Sequence, residues 1–184
     1  MAMSKFHLIS CAFALAFSST QAIATEVTVK VSGTAMPWII EKKNPDLPYG
    51  KNDGTPPAVN PDLKLKAGMV LHMTASGSTT TVAGGGGFDP KGQEGFICND
   101  QLGGSGMPFP SLYMNHGFYP VHLNELIAVF TDDKGKIVKS PFPIGTGMTI
   151  TVPQDAVSIQ FGINDDIFAD NTGEIDVVVT TPDP

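Results

Sequence analysis

The chain has 184 residues, 41% of them hydrophobic, with 18 acidic against 11 basic side chains, a formal net charge of −7 and no arginine. An acid excess without guanidinium forks argues against nucleic acid, phosphate or anionic membrane as partners, because those select clustered Arg and Lys. Uncharged and cationic partners are left open.

The first residues carry Lys5 and no acid, then the apolar run LISCAFALAF from Leu8, then Ala22, Ile23 and Ala24. These are the n-region, h-region and small-residue cleavage site of a secretory signal. Residues 1–24 are therefore expected to be a leader and residues 25–184 a single exported domain. No other segment approaches the roughly 20 apolar residues needed to cross a bilayer, so no membrane insertion is expected. Removing the leader takes away Lys5 and no acid, so ten Lys face eighteen acids and the charge becomes 10 − 18 = −8. Cys11 lies in the leader and Cys98 then stands alone, which excludes an intramolecular disulfide. Its apolar neighbours in GFICND predict a buried, inert thiol. About 160 residues can bury around two thirds of their surface without disulfide staples.

Alternation of period two then recurs along the chain: EVTVKV from Glu26, LKLKAGMVLHMT from Leu63, LIAVF from Leu126, MTITV from Met148, VSIQFGI from Val157 and EIDVVVTT from Glu174. Each reads as a strand. No stretch sustains a 3.6-residue period, and twenty Gly with fifteen Pro supply turns such as DDKG at residues 132–135. The fold class is all-β, a two-sheet β-sandwich of jelly-roll or galactose-binding-domain type. Residues 42–63, KKNPDLPYGKNDGTPPAVNPDL, are too rich in Pro, Asn and Asp to pair as a strand and are expected to form a long surface loop, for binding or as a spacer. AGGGGF at residues 83–88 lacks the Gly-Lys-Ser/Thr of a phosphate loop and reads as a flexible connection.

His72, within an apolar strand, is expected to be a packed core histidine, while His116 and His122 have no partner at zinc-ligand spacing. Trp38, Phe88, Tyr113 and Tyr119 are expected in the core rather than as a platform for a sugar. No Gly-x-Ser-x-Gly elbow is present, since GGSGM ends on Met107. The chain is expected not to be an enzyme.

The densest polar stretch is GINDDIFADNTGEIDVVV, residues 162–179, in which Asn164, Asp165, Asp166, Asp170 and Asn171 fall within eight residues between two strand patterns. So many anionic groups repel one another unless they are fully solvated or hold a cation. Calcium takes six to eight oxygens from carboxylates, amides and backbone carbonyls, all of which this loop offers. The acids do not fall at EF-hand spacing and no helix is expected on either side, so the oxygens would converge at one end of a sheet. The competing interpretation is a solvated Asx-rich turn. Alternation turns Asp166 away from its neighbour, and it is expected to face solvent. Glycoside hydrolysis would need two of these same carboxylates, which a bound cation would keep ionised and unable to donate a proton.

Residues 141–179 resemble the C-terminal half of the PA-IL-like galactophilic lectins, most specifically in GINDDIFADNTG. LKLKAGMVLHMTASGS and GFICND are similar to that family's first core strand and middle strand, so the resemblance spans most of the chain from about Leu63. It implies Ca2+ held by the side chains of Asp165, Asp170 and Asn171 and by backbone carbonyls of Phe168 and of the earlier loop near Thr81. Vicinal hydroxyls of a carbohydrate, galactose-type in that family, would complete the shell and donate to Asp165 and Asp170. Where sugar-binding members carry a His and a Gln, this chain has Lys91 and Glu94, and its spacer after Asn-Asp is shorter. The function expected is a secreted, calcium-dependent, lectin-like carbohydrate binder, compatible with a homo-oligomer. The alternative is a calcium-braced sandwich that contacts another protein without binding sugar.

Overall fold

A computed structural model describes residues 24–181, so the expected leader lies outside the described residues except for Ala24. Among the described residues there are nine strands, six from the period-two segments and three short ones, Gln93–Ile97, His122–Leu123 and Phe142–Pro143, that no such segment marks. One antiparallel sheet has the order β1 (Thr25–Ser32), β9 (Gly173–Thr181), β2 (Val70–Thr79), β7 (Gly147–Thr151). A second has the order β6 (Phe142–Pro143), β5 (Leu126–Thr131), β8 (Ser158–Ile163), and β3 (Gln93–Ile97) pairs separately with β4 (His122–Leu123).

The alternation decides which side chains meet. Val29 and Val31 of β1, Leu71 and Met73 of β2, and Ile175, Val177 and Val179 of β9 face Leu126, Ala128 and Phe130 of β5 and Ile159, Phe161 and Ile163 of β8 in one core. This is the two-sheet sandwich expected from the sequence. All six residues of β5 are buried, because its other face is covered as well. Ile127 and Val129 pack there against Met36, Trp38, Tyr49, Met114, Val121 and Phe168. LIAVF, expected to alternate, is instead apolar throughout because both of its faces are buried.

The segment 42–63 has no strand, as expected, but it is not a loose surface loop. Tyr49 is fully buried and its hydroxyl donates to Trp38 O, while Trp38 Nε1 donates to Leu47 O at 3.0 Å. Asn44 is buried too, donating to Ile39 O (2.9 Å) and accepting from Ile137 N (3.0 Å). Ala58 exchanges two 2.9 Å backbone bonds with Phe161, so the segment covers the outer edge of β8. An aromatic clamp at Trp38 and Tyr49, invisible to periodicity, makes the expected surface loop a wall of the domain.

Other expectations need correction. Leu63 and Leu65 are buried, but β2 starts only at Val70, after a turn in which Met69 N donates to Lys66 O. His72 is exposed and pairs with Thr149 across the ladder at 2.9 Å. With Leu71 and Met73 pointing inward, period two leaves His72 outside. Cys98 is fully buried, as expected, and burial pushes its thiol up to about 12.

Candidate cation site at the sandwich end

The acidic loop leaves β8 at Ile163 and enters β9 at Gly173. The β5–β8 ladder runs one step further than the strands: Asn164 N donates to Glu125 O at 2.9 Å and Asn124 N to Asn164 O at 2.8 Å. The chain then curls around Asp165, whose Oδ1 accepts from Asp166 N (2.7 Å) and Ile167 N (3.3 Å). This is the local side-chain-to-backbone bonding that Asx residues favour in turns. Asp165 Oδ2 accepts from Asn171 Nδ2 at 2.9 Å, and the same amide donates to Gly33 O at 3.1 Å. Asn171 N donates to Phe168 O at 3.2 Å.

The first sheet meets the loop from the other side. Thr80 N donates to Thr172 O (2.9 Å), Thr172 N donates to Thr80 Oγ1 (3.0 Å), and the two hydroxyls are 2.9 Å apart. Gly33 N donates to Gly173 O at 2.9 Å. The loop therefore lies where the ends of both sheets meet.

It is not a solvated turn. Asp165 is 3%, Asp166 5% and Asn171 4% exposed, and Phe168 is fully buried. Among the described residues the salt bridges join Lys30 to Glu174 and Asp176, His122 Nδ1 lies 3.5 Å from Glu125 Oε2, and no basic side chain reaches Asp165, Asp166 or Asp170. Burial pushes the Asp165 carboxyl up to about 7, against the lowering pull of Asn171 and the turn amides, and the neighbouring Asp166 adds to the rise. Three buried side-chain oxygens at this end, Asn124 Oδ1, Asp170 Oδ1 and Asn171 Oδ1, have no hydrogen-bond donor. Buried polar atoms are nearly always paired, so orphaned acceptors beside an unpaired carboxylate describe a place suited to a positive ion. Among the described residues no three His, Cys, Asp or Glu side chains come together. The donor set is instead two aspartates with amides and carbonyls, the hard-oxygen mixture that calcium takes.

Hydrogen bonds bring Asp165, Asn171 and Phe168 together, and Asp170 precedes Asn171 in the loop with its Oδ1 buried and unpaired. Thr81 is half-buried, and its neighbour Thr80 is the residue that bonds the loop. Lys91 and Glu94 are exposed and make no described hydrogen bond to the loop; the Lys91 side chain lies beside Gly145. Asp166, expected in solvent, is buried: its Oδ2 accepts from Ser105 N at 2.7 Å. It does point away from Asp165's partners, but a second loop lies there in place of water. Gly103 of that loop is so close that a Cβ would fall 2.0 Å from Asp166 Cγ.

Sequence reasoning missed four contributors. Asp53 Oδ1 accepts from Phe168 N at 2.9 Å, and Lys51 N donates to Asp166 O at 2.9 Å, so the Pro-rich segment pins the acidic loop. Asn124 is fully buried at φ +64°, and no periodicity marks it; a left-handed backbone is a role Asn fills unusually well. Glu125 beside it is buried, its carboxyl pushed up to about 7 by desolvation while it accepts from His122 N at 2.9 Å. A groove of about 370 Å³ lined by Asn115, Phe118, Lys139 and Phe142 includes none of these residues.

No family model matches the sequence. No curated protein matches it either. Among solved structures the chain is similar to the EclA N-terminal domain, a PllA-like lectin, with 17% identity over 89% of this chain and 99% of that one and a TM-score of 0.43. The sandwich described above rests on strand pairing and core contacts, not on this likeness.

Proposed function

We propose that the 164–173 loop holds a calcium ion and that the protein is a secreted, calcium-dependent carbohydrate binder. The observation that carries this is the orphaned pair Asp170 Oδ1 and Asn171 Oδ1 beside the buried, uncompensated carboxylate of Asp165. Asp165, Asp170 and Asn171 would hold the ion through side chains, Phe168 through its carbonyl, and the Thr80–Thr81 segment through a backbone oxygen. Phe168 O accepts only the Asn171 amide among the described bonds, which leaves it a second lone pair. When bound, the ion supplies positive charge and open coordination positions for neutral hydroxyls, for which water otherwise competes well.

The chain's own residues do the rest. Asn171 ties Asp165 to Gly33 and so fixes the spacing of the two sheet ends. Asp170 is half-buried and Ala169 and Thr172 are exposed, so the loop is reachable from solvent at its rim. A neutral polyol suits an arginine-free chain of net charge −7. Galactose-type sugars are the first class to test, with Asp170 at the rim as the acceptor for their hydroxyls; Asp165, expected to share that role, is 3% exposed with both oxygens engaged. A second possibility, an ion that only braces the fold, is favoured by the depth of Asp165 and Asn171, 3% and 4% exposed.

A glycan array run with calcium and again with chelator tests the proposal. Calcium-dependent capture of a glycan is expected. Capture that survives chelation overturns the metal-mediated mechanism, and a blank array together with calcium-dependent melting assigns the ion to bracing.

A further inference from the structure

We infer that Asn124 is a further ligand of the same site, contributing a neutral oxygen from its floor; this rests on the calcium proposal above. Asn124 is placed by both sheets. Its backbone N–H donates to Asn164 O, the residue before Asp165, and its side-chain Nδ2 donates to Thr79 Oγ1 at 2.7 Å. Thr79 precedes the Thr80 that holds Thr172, and Thr172 follows Asn171. Asn124 therefore links the residue before Asp165, through its backbone, to the residue before Thr80, through its side chain.

With its nitrogen engaged, Oδ1 is left without a donor in a fully buried position. A buried oxygen in that state costs stability unless something positive or protic meets it. A trapped water could donate to two such oxygens, but it brings no positive charge to a carboxylate that no basic side chain reaches. The orphaned side-chain atoms at this end are Asn124 Oδ1, Asp170 Oδ1 and Asn171 Oδ1, all acceptors, with the Asp165 carboxylate alongside. An acceptor-only, anionic set fits a cation better than a water. The left-handed backbone at Asn124, φ +64°, is consistent with a residue held in place for its side chain, since Asn adopts that region more readily than most residues.

Two variants test this in the whole domain. Asn124→Gly keeps the left-handed backbone and deletes the oxygen; Asn124→Asp keeps the shape and adds charge. Calorimetry with calcium is expected to show affinity falling roughly tenfold for Asn124→Gly and rising for Asn124→Asp, because ligand number and charge set affinity. Luminescence lifetimes of bound terbium in H2O and D2O, which count waters on the ion, are expected to show added water on Asn124→Gly. Parent-like affinity in Asn124→Gly, or weaker binding in Asn124→Asp, overturns the inference. Weaker affinity with unchanged hydration makes Asn124 a support for Thr79 only, and also overturns it. A parent that binds no calcium removes the site proposal itself, which separates that failure from failure at Asn124.

Discussion

Asp165 and Asp170 sit five residues apart on one loop, yet their surroundings assign them different work. Asp165 is nearly inaccessible and has both oxygens engaged, one by turn amides and one by Asn171; Asp170 is half-buried with an orphaned Oδ1. Asp165→Ala should therefore abolish calcium binding even at millimolar ion, because it removes a ligand and releases Asn171. Asp170→Asn keeps an oxygen and loses a charge, so calcium should bind more weakly but still bind. Calorimetry on the pair checks this, and an Asp165→Ala protein as tight as the parent would place the ion elsewhere. A pH prediction belongs to Glu125, whose carboxyl burial raises from 4.5 to about 7. The fold then favours its neutral form, so its contribution to stability is complete below pH 4.5 and is lost as pH rises through 7. Glu125→Gln in chelator should raise the melting temperature at pH 8 and leave it unchanged or lower at pH 4. Equal shifts at both pH values would mean that burial does not hold the proton on.

Loops that carry no regular structure hold the acidic loop in place. The 42–63 segment supplies Asp53 and Lys51 to it, and the 103–106 turn docks on Asp166 through Ser105 N. Gly103 is required there because a Cβ would meet Asp166 Cγ at 2.0 Å. Gly103→Ala should cost about 1–3 kcal/mol in denaturant unfolding, the usual cost of overpacking, and should weaken calcium binding by displacing the loop. An unchanged midpoint would show that the turn does not dock as described. Strands such as β9, with Ile175, Val177 and Val179 in strict alternation, were legible because a period of two maps directly onto burial. The second core around Trp38, Tyr49 and Phe168 was not, because its members come from irregular segments far apart in sequence and share no period. Asp166 was misjudged for the same reason: alternation gives a direction, but only the fold shows that the 103–106 turn waits there.

At the scale of the whole molecule, the acidic loop closes the gap between the two sheets, with Asn171 reaching Gly33 of one and Asp165 of the other. The density of acids and amides in that loop was readable from the sequence, whereas its burial and the convergence of Thr80 and Asn124 on it depended on long-range pairing. An ion there would bind the folded chain and find no such site in the unfolded one, so it must stabilise by mass action, about 2.7 kcal/mol at one hundred times its dissociation constant. For a domain of this size that corresponds to a rise in melting temperature of about 5–10 °C. Magnesium demands a tighter octahedron and sheds water reluctantly, so at equal concentration it should shift melting far less. Because Asp165 must be ionised to act as a ligand and burial holds its carboxyl up to about 7, the calcium-induced shift should shrink as pH falls below neutrality. Differential scanning calorimetry with calcium, magnesium and chelator across pH 5–8 reads all three effects, and identical melting in calcium and in chelator would remove the ion from the account of this fold.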